Sequence, residues 1–577
     1  MHKLEELRMD SNVSPQIIPP LKFAVLSNGT IFQHWQADAI RKLITGGHQL
    51  VLLIRDDREY VPGSLLPKLR KYTGPRSLFN LLNRFFCHPA SWKPVDLQSE
   101  LNNIEVLSSI VEKRGHAEYF DPGDIEKIES YNLDFILRFG FNILRGPILT
   151  SAKYGIWSFH HDDEQKYRGG PPGFWEVYYR DPVNAAMMQR LTDKLDNGII
   201  LKKGFLRTVR HSYSGNLDQL LRTSSSWPLL VANDIVRRGY NPEPWLDSSA
   251  PVYKIPGNIS MILFLCRLLW SKLIFHYWDL FRPEVWNVGI VKRPIYEIAL
   301  GNPEIRNEDV TWLREISSIS YLADPAGFEE DNKMHILVED FNYVKRSASI
   351  SEVIWDQPRN SFSVPIRIIE GKNHLSYPFI VQYQKVIYCV PESFTEGNIE
   401  LYKRNFSEED FVEDQILLKN VNAVDPTLIN FDNRWWLFFT VKEYSRSHLY
   451  IYFSNQFFGT YKPHPMNPVK IDVRSARPAG TPFIYDGVLY RPAQDCSITY
   501  GGRVIINKVT RLTTEEFEET FVRFIEPVKC SHYSKGLHTL SAVGNHTLID
   551  GKNFRFNWYH FTHRFNFKID RTLKRDA

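Results

Sequence analysis

Cysteine is scarce. The five present (Cys87, Cys266, Cys389, Cys496, Cys530) are scattered, odd in number and without CxxC spacing. That pattern argues against a disulfide framework or a zinc site and fits a reducing compartment. The opening residues, Met1 to Glu6, lack the apolar core of a secretory signal, so a cytoplasmic location is expected. Charge of one sign is also lacking. A net +4 spread over 577 residues, with no arginine-rich block, gives no reason to expect a nucleic-acid partner. No long apolar run is free of charge: the most hydrophobic stretch, Ile259 to Phe275, contains Arg267 and Lys272. It is too short and too charged for a span. It reads as a buried helix linking two domains, with membrane-surface association as the alternative. No His, Cys, Asp or Glu set has metal-ligand spacing, so no metal is expected. Nothing points to a particular oligomeric state.

The chain is too long for one core, so two or three domains are expected. Hydrophobic content of 43% and charged content of 24% suit folded domains throughout. Aromatics reach 14%; they pack between sheets and also stack on sugars and pterins. Two patterns divide the chain. The strand-like run Leu21–Ser27 ends in Asn28-Gly29; a helical stretch follows from His34 to Leu43, then Gly46-Gly47 and a second strand, Leu50–Ile54. That β-α-β opening predicts a mostly parallel sheet with helices on its faces. Asp134–Leu137 and Gly155–Phe159 read as further strands, and residues 60–115, rich in proline, as loops and short helices. Residues 206–305 read as a helical connector.

From about Ser320 the strands shorten and turns multiply. Anchor dipeptides recur about every 50 residues: Asp324-Pro325, Tyr377-Pro378, Asp425-Pro426, Arg477-Pro478 and His538-Thr539. The period is that of four-stranded propeller blades. Asp432-Asn433 and Asp486-Gly487 supply hairpin turns between aromatic-rich strands. The expected fold is therefore a Rossmann-like α/β domain (20–205), the helical connector (206–305) and an all-β five-bladed propeller (306–577).

The chemistry-bearing segment of the first half is Gly155 to His161, then Tyr167-Arg168-Gly169, then Leu195-Asp196-Asn197-Gly198. It resembles the catalytic core of the 10-formyltetrahydrofolate-dependent formyltransferases, over approximately residues 20–205. The resemblance implies catalytic roles for His160, Asp196 and Ser158, and folate contacts for Arg138, Phe139, Gly140 and Phe141. Arg168 and Gly169 would meet the substrate, and 10-formyltetrahydrofolate would be the co-substrate. The chemistry suits the residues. Formyl transfer passes through a tetrahedral oxyanion that a histidine at a strand end can stabilise, while a nearby aspartate accepts the amine proton. One position departs from the family: Ser158 stands where it carries asparagine. Losing one oxyanion donor costs about 100- to 1000-fold in turnover. His161-Asp162 are altered as well.

The second half resembles five-bladed glycoside hydrolase propellers and, more closely, the amino-terminal domain of plant glucosamine inositolphosphorylceramide transferases. The residues that carry this are the anchors, Val390-Pro391-Glu392 and Arg491-Pro492-Ala493-Gln494-Asp495. The resemblance implies that Asp324, Glu392, Asp425, Arg477, Arg491 and His538 converge on a sugar. Taken alone, an Asp-Pro pair can simply begin a strand. Two functions are expected: formyl transfer to an amino group of an amino sugar or glycan precursor, or a degenerate formyltransferase scaffold carrying a glycan-binding or glycoside-hydrolysing propeller.

Overall fold

The computed structural model describes residues 19–58, 72–193, 198–240, 248–315, 317–371, 374–393, 397–405 and 410–576. The chain divides into two compact units, residues 10–273 and 274–577. The division falls inside one helix and not at the expected 305/306 boundary.

The first unit is built on a seven-stranded sheet. In chain order its strands are β1 (Lys22–Ser27), β2 (Gln49–Asp56), β3 (Glu105–Ser109), β4 (Phe135–Arg138), β5 (Ile156–His160), β6 (Val183–Arg190) and β7 (Ile199–Arg207). Their spatial order is 7-6-5-4-1-2-3. Strands β1 to β5 pair in parallel, and β6 and β7 add an antiparallel edge. β3 corrects the sequence reading of 60–115 as loops and short helices. It is a short edge strand of mixed composition, EVLSS, without a continuous apolar run. Helix α1 (His34–Thr45) follows β1 and turns Trp35, Ala37, Ala39, Ile40 and Leu43 inward at helical spacing. Chain order reverses between β1 and β4, so the carboxyl ends of those strands flank a topological switch point.

Helices α2 (Tyr213–Ser224), α3 (Trp227–Arg238) and α4 (Asn258–Phe281) lie in the predicted connector and fill about half of it. They do not stand apart. Tyr213, Leu217, Leu221, Met261 and Phe264 share a core with Phe174 and Trp175, and Trp227 is wholly buried.

The second unit begins earlier than expected because β8 (Glu284–Val291) pairs antiparallel with the late strand β13 (His546–Phe554). That register runs unbroken from Glu284 opposite Phe554 to Val291 opposite Thr547. Four more antiparallel sheets follow in chain order. They begin with β9 (Ser320–Glu330), β10 (Ser376–Tyr383), β11 (Ala423–Phe431) and the hairpin formed by Phe483–Tyr485 and β12 (Val488–Asp495). The final segment, which the sequence assigns to the β domain, ends instead in helix α5 (Trp558–Asp576).

Local chemistry explains the repetition. The first hairpin of each of these four sheets turns through two residues of positive φ: Asp331-Asn332, Gln384-Lys385, Asp432-Asn433 and Asp486-Gly487. This is the turn whose twist matches the flanking strands, and Asp, Asn and Gly reach it most cheaply. The anchors have their own geometry. Asp324, Tyr377 and Asp425 all take φ near +50° (50, 44 and 51) immediately before proline. In each case the ladder slips: between Ala323 and Ala326, Ser376 and Phe379, and Val424 and Thr427. Each anchor is thus a β-bulge that re-aims one side chain. Holding a non-glycine residue there costs on the order of 1–3 kcal/mol, a cost that persists where the surrounding structure over-determines it.

Candidate functional site

In the first unit, register leads to the site. β1 pairs Leu26 with Arg138, and β5 pairs Trp157 with Leu137, so Arg138 and Ser158 lie side by side at neighbouring strand ends. Arg138 Nη1 donates to Ser158 Oγ at 2.9 Å, and its Nη2 donates to the carbonyls of Phe141 (3.1 Å) and Asn142 (2.6 Å). Burial pulls the guanidinium below its usual range, while Glu118 opposes the shift. Strand alternation puts His160 on the same face as Ser158, and His160 Nε2 stands 3.9 Å from Asp162 Oδ2.

Asp162 is wholly buried, accepts from Gly173 N at 2.8 Å and is pushed well above the usual carboxylate range by burial and by Glu176. Burial likewise raises Glu176 to about 7. Both carboxyls are thus shifted toward the protonated form, since burial disfavours the charged one. His161 faces Ser224 (Nε2 to Oγ, 3.0 Å), and burial together with neighbouring His160 holds it down at about 3, so it is neutral.

The predicted folate residues separate. Phe139 lines a cleft of about 270 Å³ with Ser27, Asn28, Phe32, Gln33, Gln36 and Trp92. Gly140 is required by close approach, since a Cβ would sit 2.7 Å from the Ser27 backbone. Phe141 does not face the cleft: φ +61° turns it into the hydrophobic core against Phe120. Arg168 and Gly169 form a short parallel ladder with Val252 and Tyr253, and Arg168 Nη1 donates to Ser248 O at 3.3 Å. Asp196 lies outside the described residues.

In the second unit the bulged anchors deliver their side chains to one polar centre. Asp425 is held by Arg477 through Nε (2.6 Å) and Nη2 (3.0 Å), and by Gln494 Nε2 at 2.8 Å. Its backbone N donates to Glu392 Oε2 at 2.9 Å. Asp324 accepts from Thr539 Oγ1 at 3.1 Å and lies 3.4 Å from His538 Nε2. His538 Nδ1 meets Asp550 at 2.5 Å, and the ring stacks on Trp286 at 3.9 Å. Burial alone would lower His538, but Asp550 and Asp324 outweigh it and raise the imidazole above its usual range. Tyr377 Oη bonds Thr427 (2.9 Å) and accepts from Gly480 N (2.8 Å), joining further strands to the same centre.

Exposure orders this centre by depth. Asp550 is fully buried, whereas Asp324 (6%), Glu339 (7%) and Arg477 (9%) keep a sliver of accessible surface and form the floor. Burial, then Asp324 and Glu392, lifts Glu339 well above the usual range; burial and then Asp425 do the same to Glu392. The floor therefore presents protonated carboxyls as donors, carboxylates as acceptors, a guanidinium and the Tyr500 hydroxyl, which lies 3.3 Å from Arg477 Nη2. Such a mixed set matches the hydroxyls of a sugar.

One predicted member belongs elsewhere. Arg491 is buried against Glu519 (Nη2 2.6 Å, Nε 2.9 Å) and the carbonyls of Ser475 and Ala476. On β12, residues 491 and 494 fall on opposite faces, and Gln494 is the one that reaches the centre. Glu339, Asp550, Gln494 and Tyr500 were not singled out by sequence.

Asp324 also sets a pH signature. Burial, only partly offset by His538, lifts its carboxyl from 3.8 to about 6. The folded state then holds this proton more tightly than the unfolded chain. Its stabilisation is complete below 3.8 and is lost as pH rises through about 6. Asp324→Asn should flatten the fall in urea midpoint across that window; an unchanged slope would assign the titration to another carboxyl.

Comparison with known proteins follows this division. Residues 292–555 match the family model described as "Glucosamine inositolphosphorylceramide transferase 1, N-terminal". The glucosamine inositolphosphorylceramide transferase 1 of Oryza sativa subsp. japonica is 36% identical over 165 residues, which cover 27% of this chain and 22% of that protein. That of Arabidopsis thaliana is 31% identical over 237 residues, covering 39% and 30%. A methionyl-tRNA formyltransferase of Agathobacter rectalis is 29% identical over 98 residues, covering 17% and 32%. The matches span from 22% to 32% of the length of these three relatives. Formyltransferase-like sequence and a domain similar to the amino-terminal one of those plant transferases are thus joined in one chain.

Proposed function

We propose that the chain is a carbohydrate-directed transferase. Its first unit moves a formyl group from 10-formyltetrahydrofolate to an amino group of an amino sugar or glycan precursor, and its second unit, a five-bladed propeller, holds the carbohydrate. The observation that carries the first half is the bond from Arg138 to Ser158 on the face that bears His160. A cation beside the serine supplies charge where the family's asparagine is missing.

In the reaction the amine nitrogen attacks the formyl carbon, a C–N bond forms, and the carbonyl oxygen takes up negative charge. His160 donates to that oxygen, while Arg138 orients Ser158 and adds a positive field. The bond to the folate nitrogen then breaks. The proton lost by the amine passes to a carboxylate, the role proposed for Asp196, and the folate nitrogen is protonated as it leaves. The cleft beside Phe139, with aromatic walls and the amides of Asn28, Gln33 and Gln36, suits a fused heteroaromatic ring.

For the second unit, the propeller reading rests on five sheets in chain order, with the last strands paired to the first. The sugar reading rests on the carboxyl floor. Glu392, the acid that the sequence offers beside Asp324, accepts from the Asp425 backbone N at 2.9 Å, so binding is proposed over cleavage.

The test is incubation of the full chain with 10-formyltetrahydrofolate and a panel of amino sugars, read by mass spectrometry for a formylated product. Product formation is expected. Absence of product together with absence of folate binding would leave the second reading, a scaffold with a glycan-binding unit. That reading predicts glycan binding abolished by Asp324→Ala and indifferent to His160→Ala.

A further inference from the structure

Helix α4 carries an apolar face that is exposed among the described residues. One stripe of the helix is docked: Met261 and Phe264 are buried, Leu268 packs on the same core, and Phe264 lies 4.4 Å from Phe174. Asn258 Oδ1 accepts from Leu78 N at 3.1 Å, and Arg267 Nη1 donates to Tyr178 O at 2.7 Å. The opposite stripe should be polar if it faced only water. Instead it reads Ile259, Ile262, Cys266, Leu269, Trp270, Leu273 and Tyr277, every one of them exposed, with Leu269 at 60% and Leu273 at 56%. At 100° per residue these positions share one face, and Arg267 and Lys272 fall on its two flanks.

We infer that this face lies in the surface of a lipid bilayer, with the helix axis parallel to the membrane plane. The helix extends beyond the apolar stretch read from sequence, is largely exposed rather than buried, and is long and apolar enough to cross a membrane, but a helix docked along one side to a folded core presents only its other side to lipid. Charge selects the occupant. From Lys254 to Arg282 the chain has four cationic side chains and a single carboxylate, Asp279. That carboxylate is already engaged by Arg564 (3.2 Å) and Lys568 (2.8 Å). Cations flanking an apolar stripe complement anionic headgroups above acyl chains. The exposed aromatics Trp270, Tyr277 and Trp278 suit the same boundary, where one end of a ring is wet. A second copy of the chain would bring like charges together along this seam.

The experiment uses the full chain and flotation with phosphatidylcholine vesicles, with and without phosphatidylglycerol. Wild type is expected to float with the anionic vesicles. Leu269→Glu/Leu273→Glu should reduce binding at least about tenfold, and its thermal midpoint should not fall, because both side chains are exposed. Brominated lipid should quench tryptophan emission, and Trp270→Phe should lose part of that quenching. Failure of wild type to float would overturn the proposal. So would flotation insensitive to the double variant, or a dimer seen by light scattering that the variant dissolves while vesicles bind neither protein.

Discussion

Arg477→Leu is expected to cost the second unit about 3–5 kcal/mol of stability. The guanidinium makes two hydrogen bonds to Asp425, a carboxylate that is only 1% exposed and sits on a positive-φ bulge. Leucine fills much of the volume but supplies no charge, so Asp425 loses its two-pronged cationic partner and keeps the Gln494 hydrogen bond. A lone buried carboxylate must take up a proton or draw in water, and either disturbs Glu392, whose Oε2 accepts from the Asp425 backbone N. Urea denaturation followed by circular dichroism measures the loss. A double variant, Arg477→Leu/Asp425→Leu, should recover part of it, since removing both charges of a buried pair is far less costly than removing one. A cost below about 1 kcal/mol for the single variant would mean that the pair is solvated and that the centre is not the dry, ordered floor described above.

His160→Ala is expected to lower formyl transfer by about 100- to 1000-fold while leaving folate binding close to wild type. The reasoning separates binding from turnover. The cleft residues Phe139, Asn28, Gln33 and Gln36 do not depend on the imidazole, whereas the developing oxyanion does. Arg138→Met should reduce turnover as well, and Ser158→Asn combined with Arg138→Met should restore part of it if asparagine resumes the donor role. Single-turnover assays with 10-formyltetrahydrofolate give the rates. Equal losses of binding and turnover in His160→Ala would assign the histidine to folate contact, and unchanged turnover would remove it from the chemistry.

What was legible in the sequence had local punctuation. Asp432-Asn433 and Asp486-Gly487 announced their turns because few residues tolerate positive φ. Three bulged anchors are marked by proline, and the structure gives the reason: Pro325, Pro378 and Pro426 each follow a bulged residue whose side chain leaves the ladder. The strands of the first unit followed from short apolar runs ending in turn signals. Residues without such marks were missed. Glu339 and Asp550 sit inside apolar strands, HILVED and TLID, where a carboxylate is itself the signal of a satisfied buried group. Residue charge favours Arg491 over Gln494, whereas the two-residue period of the strand separates them onto opposite faces and is the better guide. Asp162 was seen only as an alteration from the family pattern. Its proximity to His160 depends on the turn after β5, which sequence spacing does not specify.

The pairing of β8 with β13 has a consequence for how the protein is made. The first sheet of the second unit needs residues 284–291 and 546–554 together. Every strand between them must leave the ribosome before that sheet can form. The first unit, whose sheet is complete by Arg207, is free to fold while the rest is still being synthesised. Through that interval β8 can pair only with the short strand Val310–Trp312, and its other, apolar edge stays open, the kind of surface that recruits strands from other chains. A premature stop anywhere before 546 would make the interval permanent. Shortened chains of this protein should therefore fail by aggregation from the second unit, and chaperone dependence should track the synthesis time of residues 292–545.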